Sequence, residues 1–363
     1  MVYNVIGTMS GSSLDGLDIV FAELTEIRGQ WTYAIKAAET LPYEPEWADR
    51  LAGATALSAR DYLLLHTAYG HYTGQRILSF IEKNQLDHKI HFIASHGHTT
   101  FHLPSDKMTA QLGDGAAITA VTGLPVITDL RALDVALGGQ GAPIVPIGEK
   151  YLFSGYQYWL NLGGIANISA QTSNGFVAFD ICPANQVLNS LVAALNKPYD
   201  NGGALAAGGV IDNHLLAQLN GLAYYAAPWP KSLDNDFGTA TILPMIHELR
   251  ISVQGKLRTY AEHIAIQVAH AAKALKSQLP EGTANMLITG GGAFNTFLVQ
   301  LIQEKLMPLD ITVTIPDEQT INYKEALIMA LIGALRWRQE ENTLSEVTGA
   351  TRNAINGALW ISH

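Results

Sequence analysis

Residues 2–24 read VYNVIGTMSGSSLDGLDIVFAEL. Two runs with strand propensity, 2–8 and 17–24, are separated by Gly11, Ser12, Ser13, Asp15 and Gly16. Those turn residues accept tight backbone, whereas Ile19, Val20 and Phe21 favour an extended chain. The stretch predicts a β-hairpin with a loop rich in glycine and serine. A second stretch is built alike: a strand at 158–162, a glycine turn at 163–167 and a return strand starting at 168–170. A third strand over 175–181 and a helix over 184–196 follow it. Two strand–glycine turn–strand units, about 150 residues apart, predict a duplicated architecture by pattern rather than by alignment.

Working outward, Ser58 caps a helix running to residue 83, with Tyr62, Leu65, Tyr69 and Ile77 near its period. A strand at 91–95 leads into His96-Gly97-His98, where Gly97 favours a loop. A helix over 115–122 ends at Gly123 and Pro125, and 126–129 reads as a strand. Helices are expected over 257–277, 294–305 and 323–341. The strand 285–289 runs into Gly290-Gly291-Gly292 directly before the second of them. Strands alternating with helices predict an α/β protein. The domain boundary is expected near Asp129, where strand signals give way to the loop 138–143.

Composition narrows the function. The chain has 363 residues, 48% apolar and 15% charged, which excludes a disordered chain and leaves room for two domains. A net charge of −10 without a dense basic run argues against a nucleic-acid partner. Such a protein still binds ATP where backbone amides and Mg²⁺ handle the phosphate charge. Cys182 is the single cysteine, so an intrachain disulfide and a cysteine-rich metal site are excluded. Residues 1–9 lack the basic start and apolar run of a signal peptide. The longest apolar run, 326–335, is far short of the ~20 residues of a membrane span. The expectation is a soluble cytoplasmic protein with no membrane partner.

Three glycine turns, 11–16, 163–164 and 290–292, could carry chemistry. Glycine lets backbone N–H groups approach phosphate oxygens, and the third turn also opens a helix. Each alone is an ordinary turn; three at strand ends point to a nucleotide. The P-loop, the dinucleotide fingerprint and the serine-hydrolase elbow are all absent. His96, His98 and His102 are open to three readings: metal ligands, polar contacts to substrate, or structure. Asp180 ends a strand, where carboxylates face ligands in open α/β sheets, or it caps the following helix. Cys182 has no histidine assignable as its base and reads as a buried thiol.

The stretch Gly7-Thr8-Met9-Ser10-Gly11-Ser12-Ser13-Leu14-Asp15-Gly16 resembles the N-terminal signature of the anhydro-N-acetylmuramic acid kinases. The similarity continues through Ser95-His96-Gly97, Thr128-Asp129-Leu130-Arg131, Gly139-Gln140-Gly141-Ala142-Pro143 and Asn161-Leu162-Gly163-Gly164-Ile165-Ala166-Asn167. It then takes in Phe179-Asp180 with Pro183 and Asn185, Tyr199-Asp200, and Gly290-Gly291-Gly292 with Asn295. So many motifs in order make the resemblance specific. It implies the two-domain actin/hexokinase-like (ribonuclease H-like) fold, with duplicated mixed sheets flanking an ATP cleft. The first domain would be 1–128 with 342–363, and the second 129–341. It also implies an ATP-dependent kinase of peptidoglycan recycling that opens 1,6-anhydro-N-acetylmuramic acid with water and phosphorylates O6.

On this resemblance the base is Asp180. ATP contacts fall to Gly11, Ser12, Ser13, Leu14, Asp15, Gly16, Leu17, Asp18, Gly163, Gly164, Gly290, Gly291 and Gly292. His96, Arg131 and Glu325 are expected at the sugar, Arg131 against its lactyl carboxylate and Glu325 against a hydroxyl. The cofactor would be Mg-ATP, with no metal beyond that Mg²⁺, and the protein a homodimer. Three stretches depart from the pattern: Asp180-Ile181-Cys182-Pro183-Ala184-Asn185 replaces Asp-Thr-Gly-Pro-Gly-Asn, His98 replaces a glutamine, and Lys231-Ser232-Leu233-Asp234-Asn235-Asp236 replaces Lys-Ser-Thr-Gly-Arg-Glu. A kinase for another anhydro sugar such as levoglucosan is the rival within the fold. An ATP-gated binding protein and a metallohydrolase are rivals of other classes.

Overall fold

Residues 1–11, 13–279 and 282–362 are described by a computed structural model. The chain packs as two units, Met1–Phe153 with Tyr323–His363, and Ser154–Asn322. Unit 1 begins with β1 (Val2–Ser10), β2 (Gly16–Ile27), β3 (Gln30–Pro42), β4 (Phe92–Leu103), β5 (Met108–Leu112) and β6 (Val126–Thr128). Unit 2 holds β7 (Tyr158–Leu162), β8 (Ile165–Thr172), β9 (Gly175–Pro183), β10 (Ala284–Thr289) and β11 (Ile311–Thr314). The chain then returns to unit 1 and ends on β12 (Ala358–Trp360).

The hairpin read from residues 2–24 is present, with Val2 opposite Thr25 and Ser10 opposite Leu17. In unit 1, β1–β2–β3 form an antiparallel meander, β4 lies parallel to β1 and β6 parallel to β4. In unit 2, β7–β8–β9 form the same meander, β10 lies parallel to β7 and β11 parallel to β10. The sheet orders β6-β4-β1-β2-β3 and β11-β10-β7-β8-β9 therefore match strand for strand. The duplicated α/β architecture with two mixed sheets is real, and unit 1 adds β5 and β12 antiparallel to β4 and β6.

Each sheet is covered by helices because successive residues of a strand face opposite sides. In unit 1, Ile6, Ile19 and Ile93 pack on Ile77 and Phe80 of helix Ala59–Lys83, all at most 1% exposed. Burial of each such side chain stabilises the unit by roughly 1.5–3 kcal/mol. Ser58 caps that helix, accepting from the Asp61 amide at 3.2 Å. On the other side lies helix Glu318–Trp337, where a Cβ on Gly7 would collide with the Ala326 carbonyl. In unit 2, helix Val253–Lys276 buries Tyr260, Ile264 and Val268 against the sheet.

Several boundaries differ from expectation. β4 runs to Leu103, so the His96–His98 segment is strand and not loop; Gly97 takes a left-handed φ of +73° within it, and a Cβ there would strike the Leu112 carbonyl. The last long helix starts at Glu318, not 323. The partition expected at 128/129 and 341/342 falls instead at 153/154 and 322/323. The carboxyl-terminal segment is attached both to 129–153 and, through Asn342 Nδ2 on the Ile332 carbonyl at 3.2 Å, to helix Glu318–Trp337. Wholly buried Asp134 accepts from the Gly141 amide and the Thr348 hydroxyl, both at 2.8 Å, tying 129–153 to the carboxyl-terminal segment. That segment is locked by Asn342 and Asn356, both wholly buried: Asn342 Nδ2 donates to the Asn356 carbonyl and the Asn356 amide returns a bond to Asn342 Oδ1.

Candidate functional site

In unit 2, β9 carries Asp180 opposite Asn167 of β8. The carboxylate is half-buried, and its Oδ2 accepts from the Leu233 amide at 3.0 Å. Burial raises its pKa above the ordinary carboxylate value, and the Leu233 hydrogen bond partly offsets this. The Tyr224 hydroxyl donates to the Asp180 carbonyl at 2.7 Å, and the Asp180 amide donates to the Lys231 carbonyl at 3.3 Å. Helix Asn185–Ala193 starts five residues later, and its N-cap position is Ala184. Asp180 is therefore no helix cap. Cys182 is fully buried and burial pushes its thiol far up, which leaves it without nucleophilic character.

The two glycine turns of unit 2 are bound to one another through the start of that helix. The carbonyls of Gly163 and Gly164 accept from the amides of Ala184, Asn185 and Gln186 at 2.7–3.2 Å. Asn185 Nδ2 donates to the Leu162 carbonyl at 3.0 Å. Gly290 has φ +81°, and a Cβ there would lie 2.6 Å from Asn161 Oδ1; one on Gly292 would lie 2.6 Å from the Leu162 Cβ. Gly291 is exposed and differs from both, because its Cβ would meet only Asn185 Nδ2 at 3.8 Å. The 290–292 turn does not open the long helix directly, as expected from sequence. It forms a short 3₁₀ turn, Gly291–Phe294, and Asn295 caps helix Thr296–Leu306 through the Leu298 amide at 3.0 Å.

In unit 1 the 11–16 turn links β1 to β2, with Leu14 left-handed at φ +58° and the Ser13 hydroxyl donating to Asp15 at 2.7 Å. Ser12 lies outside the described residues. Leu17 is buried, so its side chain serves the core. Asp18 is half-buried at the start of β2 and accepts from the Thr40 hydroxyl of β3 at 2.6 Å. Burial pushes its pKa up to about 6, with the Thr40 bond opposing and the charges of Asp15 and Glu325 adding. Glu325 stands two turns inside helix Glu318–Trp337 and is exposed, so it is not the helix start expected from sequence. The Asp18 and Arg131 charges both sense it.

Arg131 Nε donates to His96 Nε2 at 2.8 Å, and its Nη1 donates to the Gly141 carbonyl at 2.6 Å. With Nε2 accepting, His96 carries its proton on Nδ1 and gives it to the Gly97 carbonyl at 2.9 Å. Both ring nitrogens are engaged, which removes His96 as a metal ligand. Burial, then the Arg131 charge, lower its pKa to about 3, so the ring is neutral. Burial also lowers Arg131 to about 10, with Glu325 and Asp134 opposing. His98 joins a separate chain: Tyr43 donates to Ser10 at 2.7 Å, so Ser10 donates to His98 Nδ1 at 2.9 Å. His102 lies toward the end of β4 and pairs through Nδ1 with the Thr109 hydroxyl of β5 at 3.1 Å. Sequence reasoning missed Thr40, Leu233 and Tyr224. Thr40 sits on an unrecognised strand, and Leu233 acts through its amide, which no side-chain pattern reveals.

A family model described as anhydro-N-acetylmuramic acid kinase matches residues 3–362. Relatives named anhydro-N-acetylmuramic acid kinase include that of Synechococcus elongatus, 31% identical, with 98% of this chain and 99% of the relative covered. The one from Rhodopseudomonas palustris is 33% identical over 86% of each chain. That of Vibrio parahaemolyticus is 31% identical over 98% and 97%. Among solved structures, similarity is looser. The activator of the 2-hydroxyisocaproyl-CoA dehydratase from Clostridium difficile has TM-score 0.44 at 14% identity, covering 93% of this chain and 97% of that one. A hexokinase from Schistosoma mansoni has TM-score 0.39 at 9% identity, covering 91% and 85%.

Proposed function

The chain belongs to the anhydro-N-acetylmuramic acid kinases, and from that membership we propose that it opens 1,6-anhydro-N-acetylmuramic acid with water and phosphorylates O6 with ATP. In an anhydro sugar O6 is held in an internal ether, so no free hydroxyl exists to attack a phosphate. Water adds at C1 and gives a proton to Asp180; the C1–O6 bond breaks; O6 takes the γ-phosphoryl group and ADP leaves. The product is N-acetylmuramic acid 6-phosphate, an intermediate of peptidoglycan recycling. The observation that carries the role of Asp180 is its carboxylate: half-buried, raised in pKa, and bound through Oδ2 to one backbone amide. A base of raised pKa takes a proton from water more readily than an ordinary carboxylate.

For the nucleotide, Gly291 offers backbone open to close approach, as does Gly11, whereas Gly16 is packed against Leu41 of β3. Within unit 2, Gly290 and Gly292 are packed on either side of Gly291, and the carbonyls of Gly163 and Gly164 are committed to the amides of 184–186. Asp18, crowded by the charges of Asp15 and Glu325, fits a cation riding on the phosphates. Bound Mg²⁺ would neutralise phosphate charge there. Arg131 is held rigid by His96 and Gly141, and its guanidinium suits the lactyl carboxylate. Glu325 suits a sugar hydroxyl. The reading places the enzyme in the cytoplasm, where ATP is supplied, as a homodimer. Among the described residues no helix is long and apolar enough to cross a membrane.

The test is a turnover assay with Mg-ATP and either 1,6-anhydro-N-acetylmuramic acid or levoglucosan, reading ADP and sugar phosphate. Turnover of the muramic substrate at much the higher kcat/KM is the expected result. Preference for levoglucosan, or ADP release without sugar phosphate, would overturn the reading. Sedimentation of the same sample reports the homodimer.

A further inference from the structure

The segment 224–238 crosses Asp180 and grips it at three points. Tyr224 holds its carbonyl, Lys231 its amide and Leu233 its carboxylate. The segment is itself braced. Lys231 Nζ donates to the Tyr224 carbonyl at 3.1 Å and lies 4.6 Å over the Tyr224 ring. Farther along, Gln186 Nε2 donates to the Asn235 carbonyl at 2.7 Å, while the Gln186 amide donates to the Gly164 carbonyl at 3.2 Å. One strap is thus bonded to Asp180 on one side and to the 163–164 turn, through Gln186, on the other.

The geometry points to 224–238 as the positioning device of the catalytic carboxylate, with Tyr224 and the Leu233 amide as its positioning groups. The inference rests on Asp180 being the base. By engaging Oδ2, the Leu233 amide leaves Oδ1 free of hydrogen bonds among the described residues, so one oxygen is oriented and the other is open to water. It also accounts for a departure from the family pattern. Because position 233 acts through its backbone N–H, leucine in place of threonine retains the contact. The titratable groups around Asp180 are Tyr224 and Lys231 of the strap and Cys182 of its own strand. Burial raises both Tyr224 and Cys182 and lowers Lys231.

The experiment compares Tyr224→Phe, Leu233→Pro and Leu233→Ala with wild type in kcat, both KM values and the pH–rate profile. Tyr224→Phe loses one hydroxyl bond and should lower kcat by about two- to tenfold with both KM values unchanged. Leu233→Pro removes the amide hydrogen that holds the carboxylate pKa down, so the acid limb of kcat should move to higher pH. Leu233→Ala keeps the amide and should match wild type. Wild-type kcat in Tyr224→Phe overturns the inference, as does a folded Leu233→Pro enzyme with an unmoved acid limb. Should Leu233→Pro fail to fold, Tyr224→Phe decides alone. Asp180→Asn runs alongside: an active Asp180→Asn enzyme overturns the base itself, whereas an inactive one with unaltered strap variants overturns only the strap.

Discussion

Asp180 and Asp18 are both carboxylates raised by burial, but replacing each should have opposite consequences. An asparagine at 180 keeps the shape and can still accept from the Leu233 amide, yet it cannot take a proton from water. Loss of a general base costs about 10²–10⁴-fold in rate, or roughly 3–5 kcal/mol of barrier. Asp180→Asn should therefore lose most turnover while binding of ATP and sugar, read by calorimetry, stays near wild type. Labelled water tests the step directly: solvent oxygen must appear on the anomeric carbon and not in the phosphate. For Asp18, the folded pKa of about 6 lies above the ordinary 3.8. Its stabilising contribution is present below pH 3.8 and is lost as pH rises through about 6. Asp18→Asn should then raise the melting temperature at neutral pH and leave it little changed near pH 4, although ATP binding weakens. A melting temperature at neutral pH that is unchanged or lower would show that Asp18 costs the fold nothing.

Among the glycine turns, 290–292 sets one open position, Gly291, between two packed ones. Gly291→Val has room beside Asn185 and should fold normally while weakening ATP binding by tenfold or more, about 1.4 kcal/mol. Gly290→Ala meets both a left-handed φ and the Asn161 side chain, so it should lower the melting temperature instead. Unchanged ATP affinity in a folded Gly291→Val enzyme would remove this turn from the nucleotide site. The elements that carried these turns were readable from sequence. The 2–24 hairpin, the meander from 158 and helix Ala59–Lys83 with its Ser58 cap all announce themselves through turn residues and period. β3 did not, because most of its residues are half-exposed or exposed and no apolar alternation marks it. β4 looked too short because Gly97 reads as a breaker, whereas the close Leu112 carbonyl requires a glycine inside the strand. Asp180 is marked by its place at a strand end and by motif resemblance, Arg131 by resemblance alone. Their partners Leu233, Tyr224 and Gly141 act mostly through backbone or distant loops and leave no local signature.

Across the whole molecule, unit 1 is assembled from both ends of the chain, and Asn342 and Asn356 hold the closing segment in place. Asn356 bonds Asn342, Thr343 and Asp134, all from a wholly buried position. Asn356→Ala keeps the backbone bonds to Asn342 but leaves the buried Asp134 amide without its acceptor and removes the Thr343 bond. It should cost about 1–3 kcal/mol, read by denaturant unfolding. A loss below about 0.5 kcal/mol would mean that the segment is held by other contacts. Where the sequence placed the unit boundaries wrongly, the reason is this same long-range bonding: nothing near residue 134 reports that its partner lies at 348. The split of unit 1 also sets a birth order. As the chain leaves the ribosome, its first sheet emerges early but lacks the helix that rests on Gly7 and the strand that covers the edge of β6. Unit 2 is contiguous and has all its residues once Asn322 is out. Unit 2 is thus free to mature before unit 1, which must keep its apolar faces waiting until 323–362 have emerged.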